Sequence, residues 1–319
     1  MKNTGLHHIS VLSSNAKKAY DFYHRILGLK LILKTVNQDD PAMYHLFFGD
    51  NTGRAGTEFT VFEMKGMKAN QFGSNAIERT LFLVASEAAL TYWEQRLEVH
   101  GVCHYGIETY GDQKILRFDD EDGQRLGLVY RDVDMSKMDA YVAENIPAEF
   151  AILGLGDVML RVRYPEATAK WLTETFGYQH YDTIEAFGQT VQRYRFVDGI
   201  FNHEVHVIED KTSPIQRLGV GGIHHVAFGV ESRSDLEELE QLLENRNIIN
   251  SGIVNREFIL SSYFREANYN LFEVATPLEE ATHTVQQQGL AFEDVPLFLP
   301  EFLENRREEI QGYLDYEMK

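Results

Sequence analysis

One succession of elements recurs four times along this 319-residue chain, and few folds can accommodate it. Each copy reads as a strand, a helix and three more strands. The first has a strand at 5–12 and a helix with Ala19, Tyr20, Phe22, Tyr23, Ile26 and Leu27 on one face; strands at 29–35, 44–48 and 58–64 follow. Ser13, Ser14 and Asn15 offer caps for that helix, and Gly28 suits its end. The second copy starts with a strand at 77–84. Ser86 then caps a helix carrying Leu90, Trp93 and Leu97, with strands at 106–110, 114–118 and 126–130. The third starts at 155–162, places Pro165 at a helix start, and continues in strands at 178–183, 190–196 and 204–208. The fourth starts at Gly222, with a capping box expected at 234–237 ahead of Leu236, Leu239, Leu242 and Leu243.

Aligning the four helices puts His8, Arg79, Asp157 and His225 at equivalent positions, 71, 78 and 68 residues apart. The natural grouping is two repeats in a first domain (1–131), a bridge (132–149), two repeats in a second domain (150–276) and a tail (277–319). Met135-Ser136-Lys137-Met138 and Pro147 interrupt the periodicity in the bridge. In the tail, 301–315 reads as a helix whose Phe302, Leu303, Ile310 and Leu314 are available to dock on an exposed edge or a partner chain. The predicted class is α+β, with mixed, curved sheets.

Composition narrows the function. A hydrophobic content of 44% with only 7 prolines describes a globular chain, and no apolar run is long enough to span a bilayer. Residues 1–5 lack an apolar signal-peptide region, and one cysteine, Cys103, precludes an intrachain disulfide; the expectation is a cytoplasmic protein. The formal charge of −19 disfavours nucleic acid and anionic membrane surfaces as partners.

The chemistry concentrates in three runs. Leu6-His7-His8-Ile9-Ser10-Val11 and Ile223-His224-His225-Val226-Ala227-Phe228 each carry a histidine pair, and Leu271-Phe272-Glu273-Val274-Ala275 carries one carboxylate. Strand side chains alternate, so with Ile9 and Val11 facing the helices, His8 and Ser10 face the concave side. The same alternation puts His225 and Glu273 on that side. Two imidazoles and a carboxylate are what a metal site with open coordination positions needs, and a metal offsets the cost of burying them; the alternative is two hydrogen-bonded core histidines and a carboxylate paired with Arg256 or Arg265. Arg256 and Tyr263 precede Glu273 and can reach the open side of such a site. His24 and His45 lack a second ligand at useful spacing. His203 and His206 read as edge or surface residues, and Asp157 reads as solvated or turn-stabilising. No phosphate-binding loop or Gly-x-Ser-x-Gly elbow is present.

The four repeats with these three runs resemble the vicinal oxygen chelate (glyoxalase, bleomycin resistance and extradiol dioxygenase) superfamily. Nearly the whole chain looks like the bacterial ring-cleaving dioxygenases that act on hydroquinones. The resemblance implies two glyoxalase-like domains, with Fe(II), or alternatively Mn(II), held by His8, His225 and Glu273. It places His7, Ser10, His224, Arg256 and Tyr263 around the metal as catalytic residues; Ser10 stands where chlorinated-hydroquinone enzymes have Thr. The implied partners are a small aromatic diol and O2, in a chain that can form a homo-oligomer, and the implied reaction opens the ring with both oxygen atoms inserted. A catechol extradiol dioxygenase, a metal-dependent isomerase or lyase of the glyoxalase I kind, and a non-catalytic small-molecule binder are the alternatives; the intact His/His/Glu set counts against the last.

Overall fold

The computed structural model describes residues 1–257, 259–277 and 285–316. The first repeat comprises β1 (Asn3–Ser13), α1 (Ala16–Tyr20), β2 (Lys30–Val36), β3 (Tyr44–Gly49) and β4 (Glu58–Glu63). The second comprises β5 (Ala76–Val84), α2 (Glu87–Val99), β6 (Cys103–Tyr110), β7 (Gln113–Asp119) and β8 (Arg125–Tyr130). The third comprises β9 (Gly154–Val162), α3 (Pro165–Lys170), β10 (Gln179–Ala186), β11 (Gln189–Arg195) and β12 (Glu204–Glu209). The fourth comprises β13 (Ile223–Val230), α4 (Arg233–Asn245), β14 (Val254–Asn255), β15 (Leu260–Arg265) and β16 (Leu271–Ala275).

Helix starts follow side-chain capping. Asn15 accepts the Lys18 N–H at α1, and Ser86 does the same for Ala89 at α2. At α4 the cap is Ser232, two residues before the expected box: its hydroxyl donates to Asp235, which lies in the first turn. Helices α1 and α3 each continue into a π-helical turn, Asp21–Ile26 and Trp171–Thr175, whereas α2 and α4 are uninterrupted helices of 13 residues. Repeats one and three therefore share one local geometry, and repeats two and four share another. This is the signature of a duplicated two-repeat unit.

The hydrogen-bonded sheets cut across that order. One eight-stranded sheet runs β14-β15-β16-β13-β1-β4-β3-β2, and the other runs β10-β11-β12-β9-β5-β8-β7-β6. Repeat one thus shares a sheet with repeat four, and repeat two with repeat three. At each centre an antiparallel pair joins the repeats, β1 with β13 and β5 with β9; within each repeat the first and last strands pair in parallel. The division at 132–149 follows chain order, whereas each sheet draws one repeat from either side of it.

Apolar side chains of the strands meet the helices in a continuous core, where Ile9, Phe59, Trp93, Leu172, Phe228, Leu239 and Phe272 are all buried. The two sheets touch behind β1 at Gly56. Its N–H donates to His7 O, and its carbonyl accepts from Leu155 N–H. With φ at +90° and His203 and Phe201 2.8 and 2.9 Å from where a Cβ would sit, only glycine fits.

The tail covers the outer edge of β2. Val285 N–H donates to Ile32 O and Phe298 N–H to Lys34 O, removing two unpaired edge carbonyls. The helix expected at 301–315 is broken at 305–306 into α5 (Glu301–Glu304) and α6 (Arg307–Tyr316). Leu303, Ile310 and Leu314 dock as expected, but Phe302 is 57% exposed, since it lies about 100° around the helix from the face those three share. No helix among the described residues is long and apolar enough to cross a membrane.

Candidate metal centre

The concave face of the first sheet brings together His8 from β1, His225 from β13 and Glu273 from β16. His8 Nε2 lies 3.1 Å from His225 Nε2 and 3.1 Å from Glu273 Oε2, and His225 Nε2 lies 2.9 Å from Glu273 Oε2. Ligand bonds of about 2.1 Å at right angles give a triangle with edges of about 3.0 Å, so the three atoms outline one face of an octahedral site. All three residues are buried, and Glu273 Oε2 receives no hydrogen bond. A buried carboxylate oxygen without a donor, facing two imidazole nitrogens, is the arrangement a divalent cation satisfies.

The surrounding hydrogen bonds orient each of these groups. His7 Nε2 lies 2.7 Å from the Thr276 carbonyl, which only accepts, so His7 carries its proton there. Its Nδ1 is then an acceptor, and His8 Nδ1–H donates to it across 3.0 Å. His8 Nε2 is thereby turned toward Glu273 and His225. Burial, aided by His8, pulls His7 down to about 3, consistent with a neutral ring. The Ser261 hydroxyl donates to Glu273 Oε1 across 2.5 Å and so leaves Oε2 to face the imidazoles. Burial works to raise the Glu273 carboxyl, but the two histidines outweigh it and hold the group well below the usual carboxylate range.

These atoms sit at one end of a cavity of about 580 Å³. Ser10, His224, Arg256 and Tyr263 all line it. Ser10 Oγ bonds Thr60 Oγ1 at 2.7 Å, and Thr60 Oγ1 bonds His45 Nε2 at 3.1 Å, so serine, threonine and histidine form a chain along the wall. His224 Nδ1 lies 2.8 Å from His225 Nδ1, and burial lowers its pKa to about 3. Tyr263 pairs with Glu273 across β15 and β16; burial raises its phenol, so it keeps its proton at neutral pH. The Arg256 guanidinium lies 5.5 Å from the Tyr263 ring and pairs with Asp39 at 3.2 Å.

His7 does not reach the cavity. It is fully buried behind His8, so it is a positioning group rather than one that contacts a bound molecule. Two further residues line the cavity, His45, which spacing sets aside, and Glu58, which pattern reading passes over; Thr60 bonds the lining residues Ser10 and His45 without lining the cavity itself. The alternation Glu58-Thr60-Phe62 in β4 carries a signal for two of them, since β4 runs beside β1 with His8 opposite Glu58.

The second sheet holds a different cluster at its centre. Asp157, expected to be solvated, is fully buried and pairs with Arg131; Glu204 lies 3.3 Å from the same guanidinium and accepts from His206 Nε2 at 2.7 Å. His206 and His203 are not edge residues. His206 is enclosed because β12 lies between β9 and β11, and Tyr110 OH bonds its Nδ1 at 3.2 Å. His203 accepts the Leu6 N–H at 3.1 Å, fastening the third repeat to β1. Arg131 pairs with both acids and Arg195 with Glu204, while Asp157 Oδ2 and the Nε and Nη1 atoms of Arg131 are buried without a hydrogen-bond partner among the described residues.

The sequence profile of the Glyoxalase/Bleomycin resistance protein/Dioxygenase superfamily matches residues 5–128. The chain is 38% identical over 315 residues to MhqA of Bacillus subtilis, named as a candidate ring-cleaving dioxygenase, covering 98% of this chain and 99% of that one. It belongs to this superfamily. Within it, the chain falls among the ring-cleaving dioxygenases, a family of enzymes. A more distant superfamily member, the chlorohydroquinone/hydroquinone 1,2-dioxygenase of Sphingobium indicum, is 25% identical over 280 residues, covering 86% of this chain and 85% of that one. A crystal structure of a candidate dioxygenase from Bacillus subtilis superposes with a TM-score of 0.84 at 27% identity, covering 98% of this chain and 97% of that one.

Proposed function

We propose that this superfamily member is an Fe(II)-dependent dioxygenase that opens the ring of a hydroquinone-type 1,4-diol with O2. His8, His225 and Glu273 would hold the metal. The observation that carries this reading is the triangle of Nε2, Nε2 and Oε2 atoms, 2.9–3.1 Å on a side, at the end of a cavity large enough for an aromatic ring. The similarity to a hydroquinone 1,2-dioxygenase supports the choice of diol.

Three protein ligands on one face would leave neighbouring positions where Fe(II) supplies electron transfer between ring and O2. The chain's own residues do the rest. His7 and Ser261 hold His8 and Glu273 in orientation. A 1,4-diol reaches one metal through a single oxygen, so protons on the bound and the distal oxygen must be handled by the walls. Tyr263 keeps its proton and can donate a hydrogen bond, whereas the His224 ring, kept neutral by burial, can accept one. Arg256, half-buried over the Tyr263 ring, stabilises negative charge that builds on the ring-opened acid.

The test is O2 uptake by protein reconstituted with Fe(II), offered hydroquinone, methylhydroquinone, chlorohydroquinone and catechol. Uptake with the 1,4-diols and none with catechol is expected. Uptake with catechol alone would move the reaction to 1,2-diols. Absence of uptake with all four, or turnover that persists without O2, would overturn the proposal.

A further inference from the structure

The cavity is much larger than the ring it is proposed to hold. A benzenediol has eight non-hydrogen atoms and fills on the order of 150 Å³ at the packing density of a protein interior. The cavity measures about 580 Å³. Its walls change character along the strand axis. The concave face of β1 reads His8, Ser10, Leu12, and that of β4 reads Glu58, Thr60, Phe62 before Met64. Leu12 lies two residues past Ser10, which stands opposite His225, so it begins about 7 Å beyond the metal centre, and Met64, six residues past Glu58, lies farther along the same direction.

The far end is a built apolar ledge. Met67 and Leu218 line it on two segments that link successive repeats. A backbone ladder holds those segments together: Asn70 N–H to Val220 O at 2.8 Å, Val220 N–H to Lys68 O at 3.0 Å and Gln71 N–H to Arg217 O at 3.0 Å. Leu12 is fastened to the same unit, since Leu12 N–H donates to Gly222 O and Gly221 N–H to Leu12 O. Met67 and Leu218 remain 38% and 37% exposed. Apolar side chains held half-exposed at a cavity mouth by a rigid ladder mark a place where another apolar group is buried.

Resting on the reading of this cavity as a hydroquinone site, we infer that the substrate carries an apolar side chain of about four to eight carbons on its ring, lying along Leu12, Met64, Met67 and Leu218. The polar end takes the diol, and the ledge takes the chain. The methionines suit this task, because an unbranched thioether adapts to chains of differing shape. The preferred substrates are therefore alkyl-substituted hydroquinones rather than the unsubstituted ring.

The experiment compares hydroquinone with its methyl, butyl and hexyl derivatives as substrates of the Fe(II) protein. In parallel, calorimetry measures binding of phenol, 4-butylphenol and 4-hexylphenol. Each methylene buried is expected to raise kcat/KM, mainly through KM, and to tighten phenol binding by up to about fourfold, the equivalent of ~0.8 kcal/mol. Leu218→Glu and Met67→Glu, checked for an unchanged fold by circular dichroism, are expected to lower the hexyl-to-unsubstituted ratio in both assays at least tenfold. A ratio near one in the parent protein, or a ratio that neither variant lowers, would overturn the inference. If no hydroquinone is turned over, the proposed function fails, and the phenol titrations with the two variants still decide whether the ledge binds an alkyl chain.

Discussion

The Nδ1 atoms of His7 and His8 lie 3.0 Å apart, and the Thr276 carbonyl 2.7 Å from His7 Nε2 decides which of them carries the proton between the two rings. A backbone group at the end of β16 thus sets the tautomer of a residue on β1. Replacing His7 with Phe keeps a ring in the space but leaves the His8 N–H without an acceptor. Affinity for Fe(II) or Mn(II), measured by titration of metal-free protein, is expected to fall roughly 10–100-fold. Unchanged affinity would mean that His8 is oriented by packing alone.

Ser261 plays the same part for the carboxylate, donating to Glu273 Oε1 at 2.5 Å. Ser261→Ala removes a charge-assisted hydrogen bond in a fully buried place. Metal affinity is expected to drop about tenfold and stability by about 1–3 kcal/mol, read from the same titration and from denaturant unfolding. Ser261→Thr, which retains the hydroxyl, should recover most of both.

Glu58 titrates against stability. Burial lifts its carboxyl from 4.5 to about 8. Between those values the folded protein retains a proton that the unfolded chain has released, so folding is favoured by low pH. That contribution is complete below about pH 4.5 and is lost as the pH rises through about 8. In metal-free protein, Tm is expected to fall between pH 5 and 8 by on the order of 5 °C more than in Glu58→Gln. Parallel curves for the two proteins would show that Glu58 ionises normally.

Arg131 serves the second sheet, facing Asp157 and Glu204 where both are buried. Arg131→Leu leaves two carboxylates without that counter-ion and is expected to cost about 3–5 kcal/mol, a fall in Tm of roughly 5–10 °C. Metal titration of the variant should still give one site, since the His8, His225 and Glu273 triangle stands on the other sheet. Loss of metal binding with an intact fold would show that the two sheets are coupled at the centre.

Much of this was legible in the chain because it depends on local rules. The two-residue period of a strand put His8, His225 and Glu273 on concave faces, and capping residues and apolar stripes located the helices. What stayed hidden depended on neighbours in space. His206 shares a strand face with Glu204 like any half-exposed polar pair, and only the placement of β12 between β9 and β11 encloses it. His45 and Thr60 look ordinary on their own strands; they become a chain to Ser10 through the register of β3 on β4 and of β4 on β1. The role of His7 turned on a carbonyl 269 residues away.

The sequence by itself determined four repeats, their grouping two and two, and which face of each strand carries the chemistry. These follow from side-chain periodicity and helix capping, which act over a few residues. A single metal joining His8 and His225 already required repeats one and four to meet; only the tertiary structure decided that they do so within one hydrogen-bonded sheet. The antiparallel ladder between β1 and β13 sets Ser10 opposite His225, and backbone hydrogen bonds carry no mark of sequence distance. A strand such as β1 can pair equally well with β5 by its local propensity. Packing of the two sheets and their helices into one core selects β13, and that selection assembles the metal-binding triangle from both ends of the chain.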